Sequence, residues 1–425
     1  MTQLSPQQHD AIAAITRWYN SDPLRPFRLF GPAGTGKTTL ARHVPDALGL
    51  ETFGEHEAVL YGAYTGKAAS VLRAKGCTPA GTLHSLVYRP IGTWETKAKL
   101  DAARAELAEA ENVLAVDMEH AHDLDREMTR LEAEIEALEK EAKTVGFEWN
   151  ERSALADTSL LILDEASMVD AKLAADIERF QVPVLVLGDP EQLEPVGGEG
   201  YYINAAPDYA LTEIHRQALD SPVLGLATRV RTSMGDQLGL TKDDLSPRSL
   251  ALAMEHEQII CWKNNTRWNM VNRIRATLGR PAGVPVAGDR VMCLQNNREL
   301  GIFNGQQFDV LGVSDDLQLV LRDDTGVERL IQSYLDGFQG RAAQDAAKAM
   351  QLGWRGRVGL FTFAQVITCH KAQGSEWKSV YVVNEAHDLA EMTAARQGAR
   401  VGYQAGRRWL YTAVTRAAER VTVSR

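Results

Sequence analysis

Gly31-Pro32-Ala33-Gly34-Thr35-Gly36-Lys37-Thr38 is the stretch on which the reading of this chain turns. It fits the pattern G-x-x-x-x-G-K-[ST]. Before it, Phe27-Arg28-Leu29-Phe30 has the pattern of a short buried strand. After it, Thr39-Leu40-Ala41-Arg42-His43 opens a helix. A strand that ends in a glycine-rich turn and opens a helix aims several backbone N–H groups at one point, and the helix dipole adds partial positive charge there. Such a turn holds phosphate, with Lys37 reaching the β- and γ-phosphates and the Thr38 hydroxyl ligating Mg²⁺. The expectation is a nucleoside-triphosphate site.

Working outward, Leu4-Ser5-Pro6-Gln7-Gln8 precedes a helix over residues 9–20. A glutamine amide donates and accepts at once, which suits an adenine edge, although a surface glutamine is the plainer alternative. Ser159 to Glu165 reads as an apolar, parallel-type strand ending in two carboxylates. Asp164 suits Mg²⁺ there, and Glu165 suits polarisation of the attacking water. Pro183 to Leu187 is another such strand, running into Gly188-Asp189-Pro190-Glu191-Gln192-Leu193-Glu194-Pro195, where Gln192 is placed to sense the γ-phosphate. Leu211 to Gln217 sets Arg216 after a short strand. Thr65-Gly66-Lys67 and Gly81-Thr82-Leu83-His84 are small-residue turns at helix starts. Each alone reads as a capped helix as readily as a binding site.

The 425 residues suffice for two or three domains with real cores, and 44% hydrophobic against 24% charged residues is a soluble globular balance. No apolar run reaches membrane-spanning length, and the N-terminus lacks the basic flank and apolar core of a signal peptide. Cys77, Cys261, Cys293 and Cys369 are scattered without C-x-x-C spacing, which argues against zinc or a disulfide framework and fits a reducing cytoplasm. The net charge of −10 looks wrong for a nucleic-acid partner, but 15 acidic and 7 basic residues fall between Glu95 and Lys143. The rest of the chain is close to neutral, so its basic residues remain free to line a groove.

That acidic stretch, Trp94 to about Lys143, repeats Leu and Ala at 3-4 spacing from Leu100 to Leu114. The repeat resumes from Ala121 to Ala142. Two amphipathic helices sharing a coiled-coil seam are expected. A single helix would span roughly 70 Å, more than the roughly 55 Å that the following linker retraces fully extended. A hairpin returns the ends to one place. Farther on, Gln258 to Trp262 is a strand before a helix over 265–278. The segment from Pro281 to about Gly356 is β-like, with strands expected at Arg290–Leu294, Gln307–Leu311 and Leu317–Leu321 and with Asn304-Gly305 and Asp323-Asp324 as turns. The α/β pattern resumes with Gln365 to Thr368 and Val380 to Val383.

In order, the chain carries Gly-Pro-Ala-Gly-Thr-Gly-Lys-Thr, Asp-Glu-Ala-Ser-Met from Asp164, Gly-Asp-Pro-Glu-Gln-Leu from Gly188, and His-Arg-Gln from His215. His-Lys-Ala-Gln-Gly-Ser-Glu follows from His370 and Tyr-Thr-Ala-Val-Thr-Arg from Tyr411. This order resembles a superfamily 1 helicase, closest to the RecD/Dda-like branch, superfamily 1B. The resemblance runs from Gln8 to Arg416 apart from the helical insert.

The resemblance implies an α/β fold of two RecA-like P-loop domains, with a coiled-coil hairpin insert in the first and an SH3-like β-barrel insert in the second. The first domain would cover 1–93 and 151–204, the helical insert 94–150, the second domain 205–280 and 357–425, and the barrel 281–356. ATP and Mg²⁺ would lie in the cleft. The nucleotide would be held by Gln8, Gly31, Pro32, Ala33, Gly34, Thr35, Gly36, Lys37, Thr38 and Thr39, with Gly374 and Glu376 near the ribose and the domain interface. Thr38 and Asp164 would hold the metal, and Lys37, Glu165, Gln192, Arg216 and Arg416 would carry catalysis, the two arginines as fingers. Thr65, Lys67, Thr82, His84, Thr368, His370 and Lys371 would track single-stranded DNA through its backbone.

The implied activity is ATP-driven 5′-to-3′ movement on single-stranded DNA and opening of forked or tailed duplexes, in replication, repair or recombination, by a cytoplasmic monomer. The acidic arm is expected to dock a protein or guide the fork. Rival readings are an RNA or RNA–DNA helicase of the same branch and an ATP-gated module that displaces proteins without unwinding.

Overall fold

The computed structural model describes residues 4–50, 58–90, 147–195, 200–213, 221–235, 237–297, 300–339 and 358–425, with short helical pieces between 99 and 135. The first helix, α1 (Pro6–Ser21), starts where Ser5 and Gln8 form a reciprocal capping box and proline occupies the first turn. It leads into the first sheet: β1 (Phe27–Phe30), β2 (Val59–Ala63), β3 (Ala80–Thr82), then, after the two-stranded pair β4 (Tyr88–Pro90) and β5 (Phe147–Trp149), β6 (Leu160–Asp164), β7 (Val184–Gly188) and β8 (Tyr209–Ala210). Their order is β3-β2-β6-β7-β1-β8, and all the pairings are parallel. The helices α2 (Lys37–Leu48), α3 (Gly66–Ala74), α4 (Leu83–Val87) and α5 (Ala171–Glu178) connect these strands. Strands β6 and β7 are apolar along nearly all of their length because both faces of the sheet are covered. Leu29, Ile162 and Leu185 pack on one side and Phe30, Leu161 and Val186 on the other.

After α6 (Pro222–Thr232) a second parallel sheet forms from β9 (Leu245–Ser246) and, past α7 (Leu250–Met254), β10 (Gln258–Cys261), which feeds α8 (Asn264–Thr277). A third sheet interrupts it: β11 (Arg290–Cys293), β12 (Gln307–Val313), β13 (Gln318–Arg322), β14 (Glu328–Ser333), β15 (Val358–Gly359) and β16 (Phe361–Phe363). The second sheet then finishes with β17 (Val366–Thr368), α9 (Cys369–Ala372), β18 (Trp377–Val382), α10 (Ala386–Gln397), α11 (Ala399–Val414) and β19 (Ala417–Ser424), in the order β17-β10-β18-β19-β9.

The third sheet has the order β15-β14-β13-β12-β11-β16. One run, residues 358–363, therefore supplies both of its edges, pairing with β14 on one side and β11 on the other. Strand β14 had no counterpart among the strands expected from sequence. Pairing also moves two expected boundaries. Tyr209–Ala210 adds to the first sheet beyond residue 204, and residues 358–363 belong with the third sheet beyond residue 356.

The expected coiled-coil hairpin lies almost wholly outside the described residues. Within it, residues 102–103 and 128–135 are helical, and Ala103 packs against Ile135. At its base, the Tyr88 hydroxyl donates to Asp176 (2.6 Å) and Trp149 Nε1 to the Asp176 carbonyl (3.0 Å), fastening the insertion point to α5.

The third sheet is joined to α8 by a buried charge cluster. The Asp289 carboxylate accepts from Arg275 (2.6 Å), Arg280 (2.7 Å), Gln365 (3.1 Å) and the Val286 N–H (2.8 Å). The Arg275 and Asp289 side chains are 1% and 0% exposed. The Arg275 guanidinium also lies 3.9 Å from the Phe363 ring centroid. Removing one member strands the other's charge in a dry site. Asp289→Ala is therefore expected to cost about 3–5 kcal/mol, read as a shift in the denaturant-unfolding midpoint. A loss below about 1 kcal/mol would mean that Arg275 is rehydrated at little cost.

Candidate active site

The first sheet presents its candidate residues at the carboxyl ends of strands, where open α/β sheets place ligands. In the second, Thr368 ends β17, whereas Gly374, Glu376 and Arg416 stand just before β18 and β19. At the end of β1 the chain turns sharply. Gly34 and Gly36 adopt left-handed φ values of 84° and 74°, and Gly31 sits where a Cβ would lie 2.7 Å from Thr35 Oγ1 and 2.9 Å from the Leu211 carbonyl. These glycines let the backbone N–H groups converge at the start of α2. Lys37 Nζ donates to the Gly31 carbonyl (2.6 Å) and the Pro32 carbonyl (3.1 Å), so the ammonium lies across the mouth of the turn. Thr39 is exposed one residue past Thr38.

The Thr38 hydroxyl donates to Asp164 Oδ2 at 3.0 Å. A hydroxyl and a carboxylate oxygen at this spacing are two hard donors of the kind Mg²⁺ takes. Next to them, Glu165 holds a left-handed backbone, φ 55°, unusual for a residue with a side chain. Burial pushes its carboxyl above the ordinary value. The Arg416 charge opposes that shift, Asp164 adds to it, and Lys37 and Asp189 pull in opposite directions more weakly.

Gln8 is buried rather than on the surface. Its Oε1 accepts from the Ser5 N–H (2.9 Å) and its Nε2 donates to the Thr35 carbonyl (3.3 Å), so it braces the phosphate turn from behind. Gln192 is buried in the loop after β7, with its backbone N–H on the Asp189 carbonyl (3.1 Å), and its Oε1 accepts no hydrogen bond among the described residues.

From the second sheet, Arg416 is buried just past α11, donating to the Thr412 and Ser375 carbonyls (3.1 and 3.3 Å). Gly374, φ 73°, faces α3 so closely that a Cβ would lie 2.7 Å from Ala68 Cβ. Glu376 is exposed nearby. Arg216 lies outside the described residues.

The seven residues assigned to DNA divide between the two sheets. Ala63 of β2 is in register with Thr82 on one side and Asp164 on the other, which places Thr65 and Thr82 at the same end of the sheet as the metal-type carboxylate. Their hydroxyls cap α3 and α4, accepting from the Ala68 and Ser85 N–H groups (3.1 and 3.3 Å). His84 packs between Tyr64 and Tyr88. On the second sheet Cys261 is in register with Thr368, ahead of His370 and Lys371 on α9.

Lysines from both units meet the third sheet. Lys67 pairs with Asp324, and Lys371 Nζ donates to Asn304 Oδ1 (3.3 Å). Phe303 presses on Gly66, where a Cβ would lie 2.3 Å from the Phe303 Cβ.

Sequence reasoning missed the contacts that cross between the units. The Tyr411 hydroxyl accepts from the Ala33 N–H (3.0 Å) and donates to Asp189 Oδ2 (2.7 Å). The Leu193 N–H donates to Thr412 Oγ1 (2.9 Å), Gln373 Nε2 donates to the Leu193 carbonyl (3.0 Å), Arg407 pairs with Glu191 (2.5 Å), and Arg408 pairs with Glu194. Tyr411 stood in the quoted Tyr-Thr-Ala-Val-Thr-Arg run, from which only the arginine was taken.

The raised Glu165 carboxyl has a consequence for stability. A folded value above the ordinary one, 4.5, means that the folded chain prefers the protonated acid. Its contribution is complete below that ordinary value and is lost as pH rises through the folded one. Glu165→Gln, a fixed neutral analogue, should raise the thermal midpoint by a few degrees near about pH 8, and the gain should vanish near about pH 4. A variant less stable than the parent near about pH 8 would show that Arg416 and Lys37 outweigh burial.

Comparison with known proteins follows the same lines. The family model described as "AAA domain" matches residues 3–244, and that described as "UvrD-like helicase C-terminal domain" matches residues 363–424. No curated protein matches the chain. Among solved structures, the chain is similar to Pif1 helicase from Bacteroides in complex with ADP-AlF3 and single-stranded DNA (18% identity, TM-score 0.53, covering 100% of this chain and 92% of that one). It is also similar to Pif1 helicase from Candida albicans (17%, 0.51, 100% and 95%) and to a Pif1 helicase studied at forked double-stranded DNA (19%, 0.54, 100% and 92%). These likenesses show the fold, a two-domain RecA-like α/β arrangement. The chain belongs to the AAA domain family, and its residues 363–424 match the UvrD-like helicase C-terminal domain.

Proposed function

We propose that the chain moves 5′ to 3′ along single-stranded DNA and opens forked or tailed duplexes, using ATP hydrolysed with Mg²⁺ between its two parallel sheets. The observation that carries this reading is that the second unit reaches the phosphate turn of the first, where the Tyr411 hydroxyl accepts from the Ala33 N–H (3.0 Å), with the Arg416 charge acting on the Glu165 carboxyl. A cleft that needs both units for chemistry changes its shape when it turns over.

Lys37 and the N–H groups after Gly34 hold the β- and γ-phosphates. Thr38 and Asp164 would hold Mg²⁺, which would supply charge neutralisation at those phosphates. Glu165 takes the proton of the attacking water, and Arg416, joined by Arg216, meets the charge that develops on the transferred phosphoryl group. Gln192 reports the γ-phosphate to the loop that follows β7. Gln8 keeps the phosphate turn in shape and lies at the adenine end of the site, and Gly374 and Glu376 lie on the ribose side.

Thr65, Lys67, Thr82 and His84 on one unit, with Thr368, His370 and Lys371 on the other, grip the DNA backbone without reading sequence. The Bacteroides Pif1 structure with a nucleotide analogue and single-stranded DNA supports the same pairing of ligands here. The third sheet takes the part of the SH3-like accessory domain. The acidic segment 94–150, whose charge repels phosphate, serves to dock a protein partner or to guide the fork rather than to grip DNA. The division of the chain follows the sheets, and the protein works as a cytoplasmic monomer.

ATPase rate with and without single-stranded DNA tests the reading most directly; a rate unmoved by DNA would end it. Lys37→Ala should lower turnover below about a tenth of normal while DNA binding, followed by fluorescence anisotropy, survives. Direction is checked with duplexes bearing one single-stranded tail. Opening only of the 3′-tailed substrate would reverse the assigned polarity, and stripping of a bound protein without any unwinding would favour the displacement module.

A further inference from the structure

We infer that Tyr411 is a positioning residue for ATP hydrolysis: its hydroxyl pegs α11 of the second unit to the phosphate turn and to Asp189, and so sets where Arg416 stands relative to Glu165. The inference rests on the hydrolytic roles proposed for Glu165 and Arg416.

Three observations support it. First, the tyrosine is 1% exposed and its hydroxyl is fully engaged, accepting from the Ala33 N–H at 3.0 Å and donating to Asp189 Oδ2 at 2.7 Å. Burial and the Asp189 carboxylate hold the phenol well above its ordinary value, so it stays a neutral donor. Asp189 is 3% exposed and uses its other oxygen on the Glu191 N–H (3.1 Å), which leaves Tyr411 as its side-chain donor.

Second, the peg is continuous with the arginine. Thr412, the next residue, accepts from the Leu193 N–H through its hydroxyl (2.9 Å), and its carbonyl accepts from Arg416 Nε (3.1 Å). A shift of α11 at Tyr411 therefore moves the carbonyl on which Arg416 rests. Third, the Ala33 N–H faces Tyr411 rather than the space in front of Lys37. Loss of the hydroxyl spares the amides after Gly34, the Lys37 ammonium and the Thr38 hydroxyl, which are the groups suited to binding nucleotide.

Loss of the peg should thus slow the chemical step with little effect on affinity. A hydrogen bond to a buried carboxylate is worth about ten- to a hundredfold in rate if it is expressed only when the cleft is aligned. A general weakening of the core would lower the thermal midpoint without that selective pattern.

The test is a double-mutant cycle on the full-length protein, with Tyr411→Phe, Asp189→Ala and the pair, assayed for ATPase at saturating single-stranded DNA. Tyr411→Phe is expected to lower kcat about tenfold or more while KM for ATP stays within about threefold. The pair should be slower than Asp189→Ala alone by less than the factor that Tyr411→Phe costs in the parent, because the two changes share the Tyr411–Asp189 bond while only Tyr411→Phe also removes the acceptor of the Ala33 N–H. Losses that multiply, an unchanged kcat, or a raised KM at unchanged kcat would each overturn the role. Should Tyr411→Phe fail to fold, Asp189→Ala must by itself show the fall in kcat at unchanged KM, and its absence counts against the proposal. Parent protein and Arg416→Ala are run alongside. A parent without DNA-stimulated turnover, or an arginine variant with normal turnover, would fault the proposed hydrolytic roles rather than the tyrosine alone.

Discussion

The loop from Gly188 to Pro195 contains buried backbone and side-chain groups that no strand or helix of its own sheet satisfies, and the other unit supplies the partners. Tyr411, Thr412 and Gln373 reach it with hydrogen bonds, the tyrosine's to the Asp189 carboxylate, and Arg407 and Arg408 with ion pairs at its rim. The ion pairs are partly exposed and contribute little by themselves. The hydrogen bonds are buried, and each broken one leaves a desolvated group behind. Two sheets that could each fold around their own apolar strands are in this way required to meet in one arrangement. The cleft between them follows from polar groups that have nowhere else to go.

The same economy explains where the third sheet sits. Asp324 and Asn304, on its turns, meet Lys67 and Lys371 from opposite units, and Phe303 fills the space that Gly66 leaves open. Each lysine stands beside a helix start assigned to the DNA path. The third sheet is thus built into the cleft, although its own core of Val291, Phe308, Leu319 and Phe361 is separate from the first sheet.

Local chemistry was the legible part. The phosphate turn, the paired carboxylates at the end of β6 and the apolar parallel strands are short contiguous patterns, and the structure places the first two at the same end of one sheet, with β7 between β1 and β6. What could not be read was whatever depends on distant partners. Strand β14, Glu-Arg-Leu-Ile-Gln-Ser, has one fully buried apolar residue, Ile331, so its alternation is faint. Strand β8 is two residues long and pairs only because β1 lies open beside it. Gln8 looked like a surface amide because its burial is created by Thr35, 27 positions away. Tyr411 is one of three aromatics in α11, and nothing local tells a tyrosine that fills a core from one whose hydroxyl bridges two units. The acidic segment between Glu95 and Lys143 lies almost entirely outside the described residues, so its pattern is known only as sequence.

The sheets also share a property at their margins. Their outermost strands are β3 and β8, β17 and β9, and β15 and β16, and each is two or three residues long. An unpaired strand flank is a template on which a foreign chain can add, and its hazard grows with its length. Flanks this short give an incoming strand at most one or two ladder bonds before the backbone turns away. The residue run 358–363 goes further, spending one stretch of chain on both margins of the third sheet. Among the described residues, a molecule with seventeen strands in its three larger sheets therefore offers almost no ledge for β-aggregation.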